Sequence, residues 1–236
     1  MILDEIIANK RRELENIPRR SFLNLFNTSS MKIICEVKLK SPTNSNGFGV
    51  DVASLLETYK MEADAISVVT DSKFFGGNLS ILEQARITGL PVLRKDFILE
   101  VSQITEAQTD ALLLIARILE TSKLKQLVDA CLTVGIEPVV EIYNQSELAA
   151  VLKTDARIIA VNSRDLDKQM IDLERAFNLI ERIPSSYKRL LFSGVDSPDD
   201  ISRACKAGAD GVLIGTSILN SEDKDEYIKS LRGNCE

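Results

Sequence analysis

The 236-residue chain predicts an α/β fold, a single (β/α)8 TIM barrel with an extra N-terminal helix. Three observations predict it. Short, near-continuous runs of Val, Ile and Leu recur along the sequence, as in parallel strands covered on both faces. Amphipathic stretches separate them. Charged or polar side chains close several of the runs: Glu36 and Lys38 in IICEVK, Lys95 in PVLRKD, Glu141 in EPVVEI and Asn162 in IIAVNS. A buried charge is costly without a partner, so their recurrence at strand ends points to one shared pocket. In barrels of this kind the active site occupies that end.

Residues 1–30 read as the N-terminal helix and its connector, and residues 31–236 as the barrel. Ile2, Leu3, Ile6 and Ile7 have helical spacing before the text turns strongly charged, and Pro18–Ser30 reads as connector. The strands are expected at Ile33–Lys38, Ala65–Thr70, Pro91–Asp96, Ala111–Ala116, Glu137–Ile142, Ile158–Ser163, Arg189–Gly194 and Gly211–Thr216. Helical patterns fill the gaps. In the clearest, Leu124, Leu127, Val128 and Cys131 follow i, i+3, i+4, i+7 after a Thr121/Ser122 cap. Another starts at Ser197-Pro198, a cap followed by proline at the first helical position. A doubly wound open sheet is the alternative, but no GxGxxG follows the first strand. With no linker or low-complexity tract, residues 1–236 are expected to form one domain.

Composition narrows the function. A net charge of −6 supplies no general attraction for nucleic acid or an acidic membrane, so neither is expected as a partner. Asp4 and Glu5 interrupt the first apolar stretch, which argues against a secretory leader, and no run is long enough to span a bilayer. A cytoplasmic location follows as the expectation. Cys35, Cys131, Cys205 and Cys235 are far apart and form no CxxC pair, so reduced thiols are expected. The chain has no histidine, which with the missing CxxC speaks against a metal site and rules out Ser-His and Cys-His nucleophiles. Proton transfer must then fall to Lys, Glu, Asp, Tyr or Cys.

Glu36 and Lys38 lie two apart on a strand and therefore share a face, where each favours the other's charged form. A rim salt bridge would account for them equally well. Lys95 lies between Arg94 and Asp96, and a surface charge cluster is its alternative; for Glu141 it is a solvated rim position. Two glycine-bearing loops, Ser193–Asp200 and Ile214–Ile218, end the seventh and eighth strands, the usual phosphate location in these barrels. Gly194 and Gly215 would let backbone N–H groups approach an anion. Phe74 and Phe97 could wall an aromatic ring, although core packing is the commoner reason for a lone Phe.

At these residues the chain resembles a known family. IICEVKLKSPT (Ile33–Thr43) is similar to the signature of the indole-3-glycerol phosphate synthase family. The stretches TDSKFFGG, VLRKDFI, LLLIARIL, VNSRDL and LIGTSI resemble its later blocks in the same order, and LDEIIANKR resembles its N-terminal helix, so the likeness covers essentially the whole chain. It implies closure of the pyrrole ring of 1-(2-carboxyphenylamino)-1-deoxyribulose 5-phosphate with loss of CO2 and water, without cofactor or metal. It implies catalytic positions at Glu36, Lys38, Lys95, Glu141, Asn162 and Ser193. Ser41, Arg164, Gly194, Gly215 and Thr216 fall where the family holds substrate carboxylate or phosphate. Pro42, Phe74, Phe97 and Leu113 fall where the anthranilate ring packs. The implied partner is thus a phosphorylated small molecule with an anthranilate ring; the oligomeric state stays open, a monomer included.

The chain also departs from the family. Phe192 stands where Glu usually precedes the strand-seven Ser-Gly, and Leu39 where a basic residue is common. The third helix, about Val101–Ala107, looks a turn short, and the connector before the first strand is brief. Two rival readings remain: a sugar-phosphate aldolase or epimerase with Lys95 as Schiff-base amine, and a catalytically weakened barrel serving as a binding partner.

Overall fold

Eight short apolar runs become strands because both of their faces are covered. They are β1 (Lys32–Val37), β2 (Ala65–Val69), β3 (Val92–Lys95), β4 (Ala111–Ile115), β5 (Glu137–Ile142), β6 (Ile158–Asn162), β7 (Lys188–Phe192) and β8 (Gly211–Ile214). The structure, a computed structural model, describes residues 21–232 together with Ile2. Each strand pairs in parallel with the next, and β8 returns to β1 to close the barrel. Most expected strands ran a residue or two too far at their C-terminal ends, where the polar residues leave the ladder and enter the loops. β5 matches its expected bounds.

The period of two divides the core. Ile34, Ala65, Leu93, Leu113, Val139, Ala160, Leu190 and Leu213 fill the barrel interior. Ile33, Cys35, Val37, Ile66, Val140 and Val161 face outward into the layer covered by helices. Those helices are α1 (Val52–Glu62), α2 (Ser72–Phe75), α3 (Leu79–Ile87), α4 (Thr121–Thr133), α5 (Gln145–Val151), α6 (Leu173–Ile180), α7 (Pro198–Lys206), α8 (Thr216–Asn220) and α9 (Lys224–Leu231).

Leu124, Leu127, Val128 and Cys131 are buried on α4 as their spacing predicts. The cap differs from expectation: Glu120 occupies the N-cap position without a side-chain cap bond, and Thr121 and Ser122 fall inside the first turn. α7 begins as expected, with Ser197 accepting from the Asp200 backbone N–H and Asp200 accepting in return.

The β3–β4 crossover carries only a 3-10 turn at Val101–Thr105, in line with the short third helix. A polar frame does the packing there. Arg94, 2% exposed, donates to Gln103 O (2.8 Å), Asp96 Oδ2 (2.9 Å), Glu106 Oε2 (3.0 Å) and Thr70 Oγ1 (3.2 Å). A buried guanidinium is tolerated when its donors are satisfied in this way.

Part of the expected connector is structured. Phe22–Asn27 form a 3-10 turn, and buried Phe22 and Phe26 meet edge to face at 6.3 Å. Both pack into the barrel interior, and Phe22 borders a recess with Asp110, Glu137 and Arg157, so they close the N-terminal end of the strands. The helix expected over the opening residues lies outside the described residues, as does Cys235. Cys35 and Cys131 are buried free thiols, and burial pushes Cys131 up to about 12. No helix among the described residues is long and apolar enough to cross a membrane.

Candidate active site

The alternation that buries Ile34 inside the barrel also turns Glu36 inward, two residues on, at the C-terminal end of β1. Glu36 is 5% exposed and its two oxygens are divided between two amines. Oε1 lies 2.8 Å from Lys38 Nζ, and Oε2 lies 3.8 Å from Lys95 Nζ at the end of β3. Burial by itself would raise the Glu36 carboxyl, but the two ammonium groups outweigh it and hold it below its ordinary value. Lys38 also donates to Thr216 Oγ1 at 2.9 Å and rides over the Phe48 ring.

Glu141, at the end of β5, has the opposite balance. It is 3% exposed; Asn162 Nδ2 donates to its Oε1 at 3.1 Å, and its Oε2 has no hydrogen-bond partner. Burial raises its carboxyl, and neither Lys95 nor the Asn162 amide offsets that fully. Two carboxyls in one site are thereby driven in opposite directions, Glu36 down and Glu141 up. Asn162 is held at both ends, since its Oδ1 accepts from the Arg164 backbone N–H at 3.0 Å.

Loop backbone completes the site. Ser193 and Gly194 both adopt left-handed conformations, with φ of 68° and 78°. Gly194 has the left-handed φ that favours glycine, and a Cβ there would sit 2.6 Å from Ile171 Cγ2; a Cβ at Gly215 would sit 2.6 Å from Glu36 Oε1 and press on that carboxylate. Ser163 Oγ anchors the turn by donating to Ser193 O at 2.8 Å.

Glu36, Lys38, Lys95, Asn162, Arg164, Ser193, Gly194, Gly215 and Thr216 line one cavity of about 260 Å³. Glu141 stands behind it and reaches it through Asn162. Ser41, Pro42, Phe74, Phe97 and Leu113 are not among its lining residues. Leu113 is buried in the barrel interior, and Ser41 is tied into its own loop with Asn44. Phe74 is 54% exposed beneath Lys73, whereas Phe75 pairs with Phe97 at 6.3 Å. Nothing in an FF dipeptide on a one-turn helix tells from sequence which ring turns toward its neighbours. Ile171, Val195, Leu213 and Ile214 also line the cavity. Their apolar character carries no local signal of a site. Phe192, noticed only as a departure, is a buried part of the wall, beside Asn162 in register.

A closed parallel barrel with a charged pocket at the C-terminal end of its strands defines a (β/α)8-barrel enzyme. The family model for indole-3-glycerol phosphate synthase matches residues 4–231. The chain belongs to the indole-3-glycerol phosphate synthase family, carboxy-lyases of tryptophan biosynthesis that act on a phosphorylated small molecule. It is 34% identical to the indole-3-glycerol phosphate synthase of Caldanaerobacter subterraneus subsp. tengcongensis, covering 99% of this chain and 100% of that one. It is 34% identical to that of Petrotoga mobilis (94% and 93% covered) and 29% identical to that of Methanothermobacter marburgensis (98% and 90%). Among solved structures, a 3-hexulose-6-phosphate synthase from Salmonella typhimurium superposes with a TM-score of 0.67 at 12% identity, over 86% of this chain and 97% of that one. A likeness at that identity shows the fold alone.

Proposed function

We propose that this chain closes the indole ring by Lys/Glu acid–base catalysis in the cavity at the strand ends, working as one barrel domain in the cytoplasm. The substrate is 1-(2-carboxyphenylamino)-1-deoxyribulose 5-phosphate. Its anthranilate ring falls, by the resemblance, to Pro42, Phe74, Phe97 and Leu113, which lie outside the cavity lining, and Phe75, the ring partner of Phe97, joins them in this reading. Its anionic groups are held by Ser41, Arg164, Thr216 and the backbone at Gly194 and Gly215, with Ser193 at the turn between β7 and α7.

Lys95 protonates the ketone oxygen as the aromatic carbon attacks. Glu141, oriented by Asn162, stabilises the cationic, dearomatised intermediate, which then loses CO2. Lys38 and Glu36 form the second acid/base pair, which removes water. The observation that carries this reading is the bridge from Glu36 to Lys38 (2.8 Å) and to Lys95 (3.8 Å) on the cavity wall.

Incubation with the substrate tests it. Indole fluorescence should appear, unobscured because the chain has no tryptophan. Lys95→Ala should lower turnover by about 100- to 10,000-fold, the usual contribution of a positioned acid. Near-parental turnover in that variant would remove Lys95 from its role, and no product from the parent chain would end the reading altogether.

A further inference from the structure

The β5–β6 ladder ends at the pair Ile142↔Val161. The next residues along each strand, Tyr143 and Asn162, are joined by a side chain from outside the sheet. Arg175, in the first turn of α6, donates one N–H to Tyr143 O and another to Asn162 O (2.7 Å). Its guanidinium also stacks over the Tyr143 ring, 3.6 Å from the centroid. The helix start fixes where this arginine emerges. Asp172 N-caps α6 by accepting from the Arg175 backbone N–H at 2.9 Å, while its own N–H donates to Ser163 O at 2.9 Å.

We infer that Arg175 is a positioning residue: its planar fork splices β5 to β6 beyond their last ladder pair and so sets the gap across which Asn162 reaches Glu141. The inference rests on the proposed roles of those two residues. Arg175 does not line the cavity; it borders a separate recess with Asn144, Asn178 and Arg182. It therefore acts through the strand ends and not on the substrate. Guanidinium geometry is what the task requires, since two carbonyls on adjacent strands need two donors held at a fixed separation. Asn162 Nδ2 has to span 3.1 Å to Glu141 Oε1, near the upper end of a good hydrogen bond, so a small splay of the strands would break it.

The test is a double-mutant cycle with Arg175→Met and Asn162→Ala, read by kcat, KM and the pH profile. Arg175→Met should lower kcat by about 10- to 100-fold, as small misplacements of catalytic groups do, with KM little changed. The pH limb belonging to Glu141 should move upward, because the Asn162 amide is one of the contacts that hold that carboxyl down. Added to Asn162→Ala, the Arg175 change should cost no more than about twofold again, the mark of two residues acting through one contact. Arg175→Lys, a point charge able to serve fewer carbonyls, should recover part of the rate, and it carries the same test should the Met variant fail to fold. A parental kcat and pH profile in the folded Arg175 variants, or losses that multiply in the double variant, would overturn the inference. Parental turnover in Asn162→Ala would instead overturn the role given to Asn162, and the inference with it.

Discussion

Glu36 and Glu141 illustrate how two like side chains acquire different properties from their surroundings. Glu36 faces two ammonium groups, and its folded carboxyl lies below the ordinary 4.5. Its contribution to stability is therefore present above pH 4.5 and is lost as pH falls through the lowered value. Glu141 has one unpartnered oxygen and a raised carboxyl. Its favourable form is the protonated one, so its contribution is present below pH 4.5 and is lost as pH rises through the raised value. Replacing Glu141 with Gln removes that loss. Glu141→Gln should gain stability over the parent as pH rises from 4.5 through the raised value of Glu141 and hold that gain above it, while turnover falls by about 100-fold or more. Denaturant midpoints across that range decide it; a constant difference between variant and parent would refute the assignment of the titration to Glu141.

Among the connecting elements, the β2–α3 segment places the strictest demand on a residue. Gly77 precedes the Asn78 cap of α3, and a Cβ built there would lie 2.0 Å from Val69 O at the end of β2. Backbone cannot step aside as a side-chain tip can. Gly77→Ala should cost about 3 kcal/mol or more, at the upper end for overpacking, because strand and loop must separate. Gly89 offers the contrast: nothing lies within 4 Å of its Cβ position, and only its φ of 92° opposes a side chain. Gly89→Ala should then cost about 1 kcal/mol, the strain of a left-handed residue alone. Urea unfolding of both variants separates the two effects, and equal losses would mean that the close approach at Gly77 is not what restricts it.

Across the whole barrel, the two ends of the strands have different tasks. Phe22 and Phe26 seal the N-terminal end, far from the Glu36–Lys38–Lys95 cluster at the other. Phe22→Ala should lower stability by about 3–5 kcal/mol, the range for a buried aromatic, yet leave kcat within about twofold when assayed well below the melting point. A kcat loss at low temperature comparable to that of Lys95→Ala would contradict this division of labour.

Local pattern was enough to read the strands, the buried face of α4, the Ser197 cap with Pro198 after it and the alternation that sends Glu36 and Lys38 to one side. Each of these depends on neighbours within a few residues, where period and cap chemistry operate. The resemblance of IICEVKLKSPT and the later blocks added which polar strand ends to group together. Other features escaped because they depend on partners distant in the chain. The rings of Phe22 and Phe26 are a plug only because a closed barrel offers them a mouth. Phe75, not Phe74, meets Phe97 because two loops converge. Arg175 looks like one more charge on a helix until the ends of β5 and β6 bring two carbonyls to it. Periodicity tells a residue which side to face; the closure of the sheet determines what it meets there.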